Sequence, residues 1–291
     1  MTRTQYYKVA GYVFSLCMDD AQSAWEHLDN YSPFLTDKAD TIFDLELVQS
    51  FEAEDRQELY RSTPEPGEMR IDIDTCKDGY VFDMGPFGKV ASAGLLKVSE
   101  DFSKGSLVVN KDIKFCLNTA LMLLFAFRGA SMDVLEMHSS VTIFEGKAYM
   151  FLGKSGTGKS THSSLWLKNI EGTHLMNDDN PVIRVVDGIA MAYGSPWSGK
   201  TPCYRNEEYP IGAIVRIRQA KKNEIHRMSL VEAYASVSSS SSGLRAIKPV
   251  ADGLFATASA VVSTVPCYIL DCLPDDDAAR LCHSVVTAPA E

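Results

Sequence analysis

The chain of 291 residues is short of positive charge, long apolar runs, an apolar leader and paired cysteines, and each shortage removes a class of protein. Lys and Arg number 28 against 38 Asp and Glu, a net charge of -10, so no basic face for nucleic-acid phosphates is expected. The most apolar stretch, Phe115 to Phe127, is about 13 residues with Asn118 inside it. That is short of the roughly 20 residues a bilayer span needs, and a buried core helix is the expectation. Met1-Thr2-Arg3-Thr4-Gln5 leads into mixed polar and aromatic residues, not the apolar core of a signal peptide, which implies a cytoplasmic chain. The seven cysteines are odd in number and scattered, and no Cys-x-x-Cys occurs. A disulfide scaffold or a zinc site does not fit them, whereas a reduced compartment does. No internal repeat stands out.

What remains is ordinary globular material, 45% hydrophobic and 23% charged, with enough length to bury a core in one large domain or two. The first ~110 residues read as short strands: Tyr6 to Cys17, Phe43 to Val48, Met69 to Ile73, Tyr80 to Phe82 and Leu107 to Val109. Asp19 to Leu28 has the makings of a short helix, and Pro64-Glu65-Pro66-Gly67 punctuates a turn. This region carries no paired acids, ligand cluster or glycine loop. We expect a β-rich accessory domain over 1–112 and a nucleotide-binding domain over 113–291.

The second part opens on a helix from about Ile113 to Arg128, stopped by Gly129. Leu135 to Phe144 and Ala148 to Leu152 are two strands joined by Glu145-Gly146-Lys147, and the second runs straight into a glycine loop. Val182 to Val186 and Ile189 to Tyr193 flank Asp187-Gly188, a hairpin signal. Ile211 to Ile217 with Glu224 to Met228 suggests another hairpin. Ser229-Leu230-Val231-Glu232 has the spacing of a capping box. Ser236 to Ser242 reads as a low-complexity loop, and the chain closes with a strand at Cys267 to Leu270 and a helix from about Asp276 to Val286.

The sharpest feature is Gly153-Lys154-Ser155-Gly156-Thr157-Gly158-Lys159-Ser160, which meets G-x-x-x-x-G-K-[ST], the Walker A or P-loop form, at every fixed position. Glycine permits the backbone angles that turn successive N–H groups inward onto phosphate oxygens. Lys159 is placed to reach the outer phosphates and the Ser160 hydroxyl to ligate Mg²⁺. Thr161 to Asn169 can continue as a helix whose N-terminal dipole adds to the attraction. An apolar strand entering and a helix-compatible segment leaving set this apart from a chance glycine-rich turn. ATP and Mg²⁺ are the expected ligands.

The surroundings of the loop resemble the kinase domain of HPr kinase/phosphorylase and the nucleotide-binding part of phosphoenolpyruvate carboxykinase. Ser155-Gly156-Thr157-Gly158-Lys159 looks like the carboxykinase loop. His138 stands fifteen residues before Gly153, where HPr kinases carry an active-site histidine. Asn177-Asp178-Asp179-Asn180 resembles the acidic pair of both families. The likeness spans roughly 135 to 290, and it departs from the HPr kinase pattern at Ser139, Lys154 and Thr161 and over Gly194 to Lys200. It implies an α/β domain with a mixed, largely antiparallel sheet, preceded by a smaller β-rich domain. It also implies His138, Asp178 and Asp179 as catalytic residues, with Asp179 as base and Asp178 beside the metal.

Lys200 and Arg205, in a Gly/Pro-rich stretch, are candidates for phosphate or anionic-substrate contact, with a solvated loop as the plain alternative. Trp197 is open to stacking on a ligand or anchoring the loop, and His162 to capping or packing near the loop helix. The activity this pattern implies is ATP- and Mg²⁺-dependent phosphoryl transfer to a hydroxyl, on a protein serine or a small molecule. A reduced carboxykinase and a non-catalytic ATP-binding sensor or scaffold are the alternatives. A homo-oligomer is compatible with all three; a nucleic-acid or membrane partner is not expected.

Overall fold

A computed structural model describes residues 1–20, 23–64, 69–89, 91–199 and 201–288. Lys200 and the expected turn residues Glu65, Pro66 and Gly67 lie outside the described residues. The chain forms two compact units, Met1–Gly129 with Gly243–Val250, and Ala130–Ser242 with Ala251–Glu291.

The first unit is built on nine strands: β1 (Thr2–Val9), β2 (Tyr12–Asp19), β3 (Leu35–Thr36), β4 (Asp44–Leu47), β5 (Gln57–Tyr60), β6 (Met69–Cys76), β7 (Gly79–Pro86), β8 (Gly94–Ser99) and β9 (Lys104–Val109). They form one sheet in the order β3-β1-β2-β4-β9-β8-β7-β6-β5. The single strand expected over Tyr6 to Cys17 is a hairpin, turned at Ala10 (φ 50°) and Gly11 (φ 82°). Alanine rarely accepts a left-handed angle, so Ala10 hid the turn. Among the described residues of Asp19 to Leu28 there is a 3₁₀ turn at Ser23–His27 and no α-helix. Helix α1 (Ile113–Ala130) runs over 18 residues, and it is long and apolar enough to cross a membrane by length and composition. The expectation that this segment is too short does not hold. Burial decides instead: Cys116, Leu117, Leu121 and Phe125 are all buried, and Phe14 stacks on Phe43 and meets the edge of Phe125.

The second unit follows the order β10 (Val134–Glu136), β11 (Ser139–Phe144), β12 (Lys147–Leu152), α2 (Lys159–Asn169), β13 (His174–Asp179), β14 (Val182–Val186), β15 (Ile189–Tyr193), β16 (Glu208–Gln219), β17 (Glu224–Arg227), α3 (Leu230–Ser239), α4 (Lys248–Thr264), β18 (Cys267–Cys272) and α5 (Asp276–Val286). Its sheet runs β10-β14-β15-β16-β12-β11-β13, with β18 beside β16 and β17 beyond it. Large sheets mixing parallel and antiparallel pairs, with helices packed on them, make the molecule an α/β protein. Strand β12 lies between antiparallel β11 and parallel β16, so an antiparallel hairpin does feed the glycine loop.

Three expectations need correction here. Leu135 to Phe144 is two strands: β10 pairs with β14, whereas β11 pairs with β12 and β13, and the chain crosses over at Met137-His138. The segments at 211–217 and 224–228 are not a hairpin, because β18 inserts between them and takes both as neighbours. Parallel pairing of this kind is non-local and leaves no turn signal. The serine run is not a loose loop either, since Ser236 to Ser239 complete α3, which opens on the expected Ser229–Glu232 capping box.

Alternation along β12 and β16 puts Tyr149, Phe151, Val215 and Ile217 on one face, where they bury against Trp166 of α2 and Ala278, Ala279 and Cys282 of α5. That layer fixes α2, and with it the loop, against the sheet.

Candidate phosphate-binding site

Strand register assembles the site. Ser139, the first residue of β11, pairs with Leu152 at the end of β12 and with Asp179 at the end of β13. The residue before Ser139, the residue after Leu152 and the acid closing β13 must therefore meet at one edge of the sheet. These are His138, Gly153 and Asp179. Residues dispersed over forty positions of sequence converge because two antiparallel ladders end at the same rung.

The side chains confirm the convergence. Lys159, buried at the start of α2, donates from Nζ to the Gly153 carbonyl at 3.0 Å and to His138 Nε2 at 2.9 Å. An ammonium only donates, so Nε2 accepts and Nδ1 carries the proton. Nδ1 stands 3.0 Å from Asp179 Oδ1. A continuous chain Lys159–His138–Asp179 thus lies across the mouth of the loop. Burial lowers the Lys159 ammonium below the ordinary lysine value; Asp179 and Asp178 oppose that shift and Arg216 adds to it.

The loop has the backbone its sequence demands. Gly156 and Gly158 have φ of 80° and 102°, which L side chains rarely adopt. At Gly153 a Cβ would stand 2.3 Å from Thr157 Oγ1, a contact no side chain tolerates. Thr157 donates from both N and Oγ1 to the Lys154 carbonyl, which closes the turn. Lys154, Ser155 and Gly156 are exposed at its crown, and Ser160 and Thr161 are exposed in the first turn of α2.

Asn177 orders the acidic turn. Its Oδ1 accepts from the N–H groups of Asp179 and Asn180, and its Nδ2 donates to Ser195 Oγ and the Trp197 carbonyl. The Asp178 carbonyl accepts from Gly199 N at 2.7 Å, and Asp179 forms an isolated bridge with Ser198. Asp178 is buried, and its carboxylate has no hydrogen-bond partner among the described residues. Trp197 is only 4% exposed and anchors this loop, which removes the stacking alternative. Arg205 pairs with Glu207 Oε1 at 3.3 Å, and among the described residues no hydrogen bond or ion pair ties it to the glycine loop. His162 is buried on α2 itself and accepts from Trp166 Nε1 at 3.1 Å.

Two groups at the site gave no signal in the sequence. Glu136 is buried to 1% exposure at the end of β10, and burial together with the Asp179 charge pushes its carboxyl well above the usual range. Arg216 lies on β16 level with Leu152, the residue before the loop. Neither sits in a motif, and only the sheet brings them here.

A cavity of about 410 Å³ opens on the other flank of the loop, between Gly156, Gly158, Leu165, Ile217, Gln219 and Leu273. It forms because β12, β16 and β18 are parallel and end at one edge, the place where α/β sheets hold ligands. Gln219 Nε2 donates to the Gly156 carbonyl at 3.2 Å and joins the loop to the cavity wall.

No protein-family model matches the sequence, and no curated protein matches it. Among solved structures the chain is similar to the Hpr(Ser) kinase/phosphatase from Coxiella burnetii. The identity is 9%, the TM-score 0.31, and the likeness covers 52% of this chain and 93% of that one.

Proposed function

We propose that the second unit is an ATP-dependent phosphotransferase of the HPr kinase type, moving the outer phosphoryl group of ATP to a hydroxyl on a protein serine or a small molecule. The observation that carries the reading is the Lys159–His138–Asp179 chain at the mouth of a glycine loop whose Gly156 and Gly158 take positive φ. A sensor needs the loop alone; it has no use for a carboxylate held in line by a histidine.

The loop N–H groups and the N-terminus of α2 take the phosphate chain, and the neighbouring cavity, at about 410 Å³ and largely apolar-walled, has room for a nucleoside. The donors present fit Mg²⁺: the Ser160 hydroxyl is exposed beside the loop, and the buried Asp178 carboxylate accepts no hydrogen bond from the described residues. Among the described residues no three His, Cys, Asp or Glu gather into a metal site of their own, and magnesium characteristically takes few protein oxygens and completes its shell with phosphate. Bound there, the ion neutralises charge developing on the phosphate oxygens.

The chain's own residues supply the rest. Asp179 accepts the proton of the acceptor hydroxyl as its oxygen bonds to phosphorus and the bond to the bridging oxygen breaks, leaving ADP. His138 holds the Asp179 carboxylate in line and keeps Lys159 beside Gly153 until phosphate arrives. Lys159 then turns its charge to the transferred group.

The test is ADP formation from Mg-ATP over a panel of sugars, polyols and serine peptides. Asp179→Asn keeps the shape of the carboxylate but cannot take the proton, so turnover should fall by ~10²–10⁴-fold with nucleotide affinity intact. Equal turnover in variant and wild type, or no turnover with any acceptor, would contradict the reading.

A further inference from the structure

Arg216 is held by four hydrogen bonds to one short segment. Its Nε donates to Ser236 Oγ at 2.5 Å, and its Nη2 donates to the Ser236 carbonyl, Ser239 Oγ and Ser240 Oγ at 2.7, 3.0 and 3.1 Å. Part of this is ordinary, because the last carbonyls of a helix lack intrahelical donors and an arginine can supply them. Two further facts go beyond helix capping. First, Nη1 has no hydrogen-bond partner among the described residues, although four bonds lock the other edge of the fork. Second, the anchoring segment belongs to the phosphate-binding site itself. Ser240, which accepts from Arg216 through its hydroxyl, also accepts from His138 N through its carbonyl at 2.7 Å. Ser242 N donates to the Glu136 carbonyl at 2.9 Å, and Met137 bridges Ser241. The serine run is therefore stitched to the strand crossover that carries His138.

The path from Arg216 to Lys159 is short and rigid: Arg216 to Ser240, Ser240 to His138, His138 to Lys159. Strand register agrees, since Arg216 pairs with Leu152, one residue before Gly153. Its charge also reaches the Lys159 ammonium, which it depresses.

We infer that Arg216 is a phosphate-binding residue, fixed by the serine run so that its free Nη1 edge meets the outermost phosphate beside Lys159. The inference rests on the nucleotide reading above and adds a specific role: the second cation that distinguishes a triphosphate from a diphosphate. Two cations held apart by fixed partners repel while the site is empty. A terminal phosphate removes that repulsion and gives Nη1 its missing acceptor. A guanidinium locked along one edge offers this bond with little further loss of side-chain freedom. The serines thereby acquire a purpose that low-complexity composition does not suggest: they are the mould for one arginine.

The experiment is calorimetric titration of Mg-ATP and Mg-ADP into wild type, Arg216→Gln and Arg216→Lys, each checked for cooperative thermal unfolding. We expect wild type to favour ATP over ADP. Arg216→Gln should weaken ATP binding by about tenfold to a hundredfold, the scale of a hydrogen bond to a charged group, and leave ADP binding nearly unchanged. Arg216→Lys retains the charge without the fork and should fall between them. It also covers the case in which Arg216→Gln fails to fold. Arginine acting only as a helix cap predicts a different pattern, in which Ser236→Ala and Arg216→Lys lower thermal stability and leave the ATP-to-ADP ratio at the wild-type value. That pattern overturns the inference while ATP binding itself stands. If wild type binds neither nucleotide, the functional reading fails first and takes the inference with it.

Discussion

At the scale of single residues, His162 shows how far position in the fold governs chemistry. It stands three places after the loop lysine, and the sequence left its task open between packing and capping. Buried and accepting the Trp166 indole N–H, it is held with Nε2 unprotonated, and burial lowers its pKa to about 4 from 6.5. The sign follows directly. Between those values the unfolded chain binds a proton that the folded chain refuses. Stability is thus fully present above about 6.5 and is lost as pH falls toward 4, by roughly 3 kcal/mol if the whole displacement is realised. Chemical denaturation at pH 7 and pH 4.5 should show His162→Gln less sensitive to acid than wild type. Identical pH slopes would show that His162 does not titrate as its burial requires. His138, Asp178 and Asp179 were expected, from a likeness to known loops and histidines, to meet in one cluster if their strands proved neighbours; the register behind the His138–Asp179 contact was the part left open. The rung shared by Ser139, Leu152 and Asp179 makes that contact, and no spacing rule encodes it.

Among elements, those read correctly from sequence were the ones with local signatures. The loop, the hairpin before it, the Asp187-Gly188 hairpin, the Ser229 capping box and the helix at Asp276–Val286 all carry their signals within a few residues. Strands β3, β5 and β8 and helix α4 were missed. Gln57–Tyr60 has only four residues, and α4 carries Gly253, which lowers its intrinsic preference but lets the helix approach the Ala130 carbonyl, where a Cβ would stand at 1.9 Å. Helix α2 is another element that composition undersells, since its own sequence is polar and serine-rich. One side chain anchors it: Trp166, fully buried and in ring contact with Tyr149, Phe151 and His283. Trp166→Ala should cost about 3–5 kcal/mol by denaturant unfolding, as for other buried aromatic truncations. A loss below about 1 kcal/mol would mean that α2, and the loop it terminates, is held by something other than this contact.

For the molecule as a whole, the parts that escaped the sequence are those set by long-range order. The insertion of β18 between β16 and β17 makes β12, β16 and β18 a parallel trio inside a sheet otherwise rich in antiparallel pairs, and the cavity beside the loop is its product. Net charge misleads at this scale as well. A chain carrying -10 still places Lys159 and Arg216 at one strand end, where the proposed phosphate would meet local charge and not the distant total. Every role proposed for these residues depends on Mg-ATP binding at this strand end through the glycine loop. Calorimetry with Lys159→Ala tests it most directly. Wild type should bind saturably at one site, and binding to a variant that remains folded should be abolished or greatly weakened; equal affinity in the two proteins would rule out Mg-ATP binding at the loop.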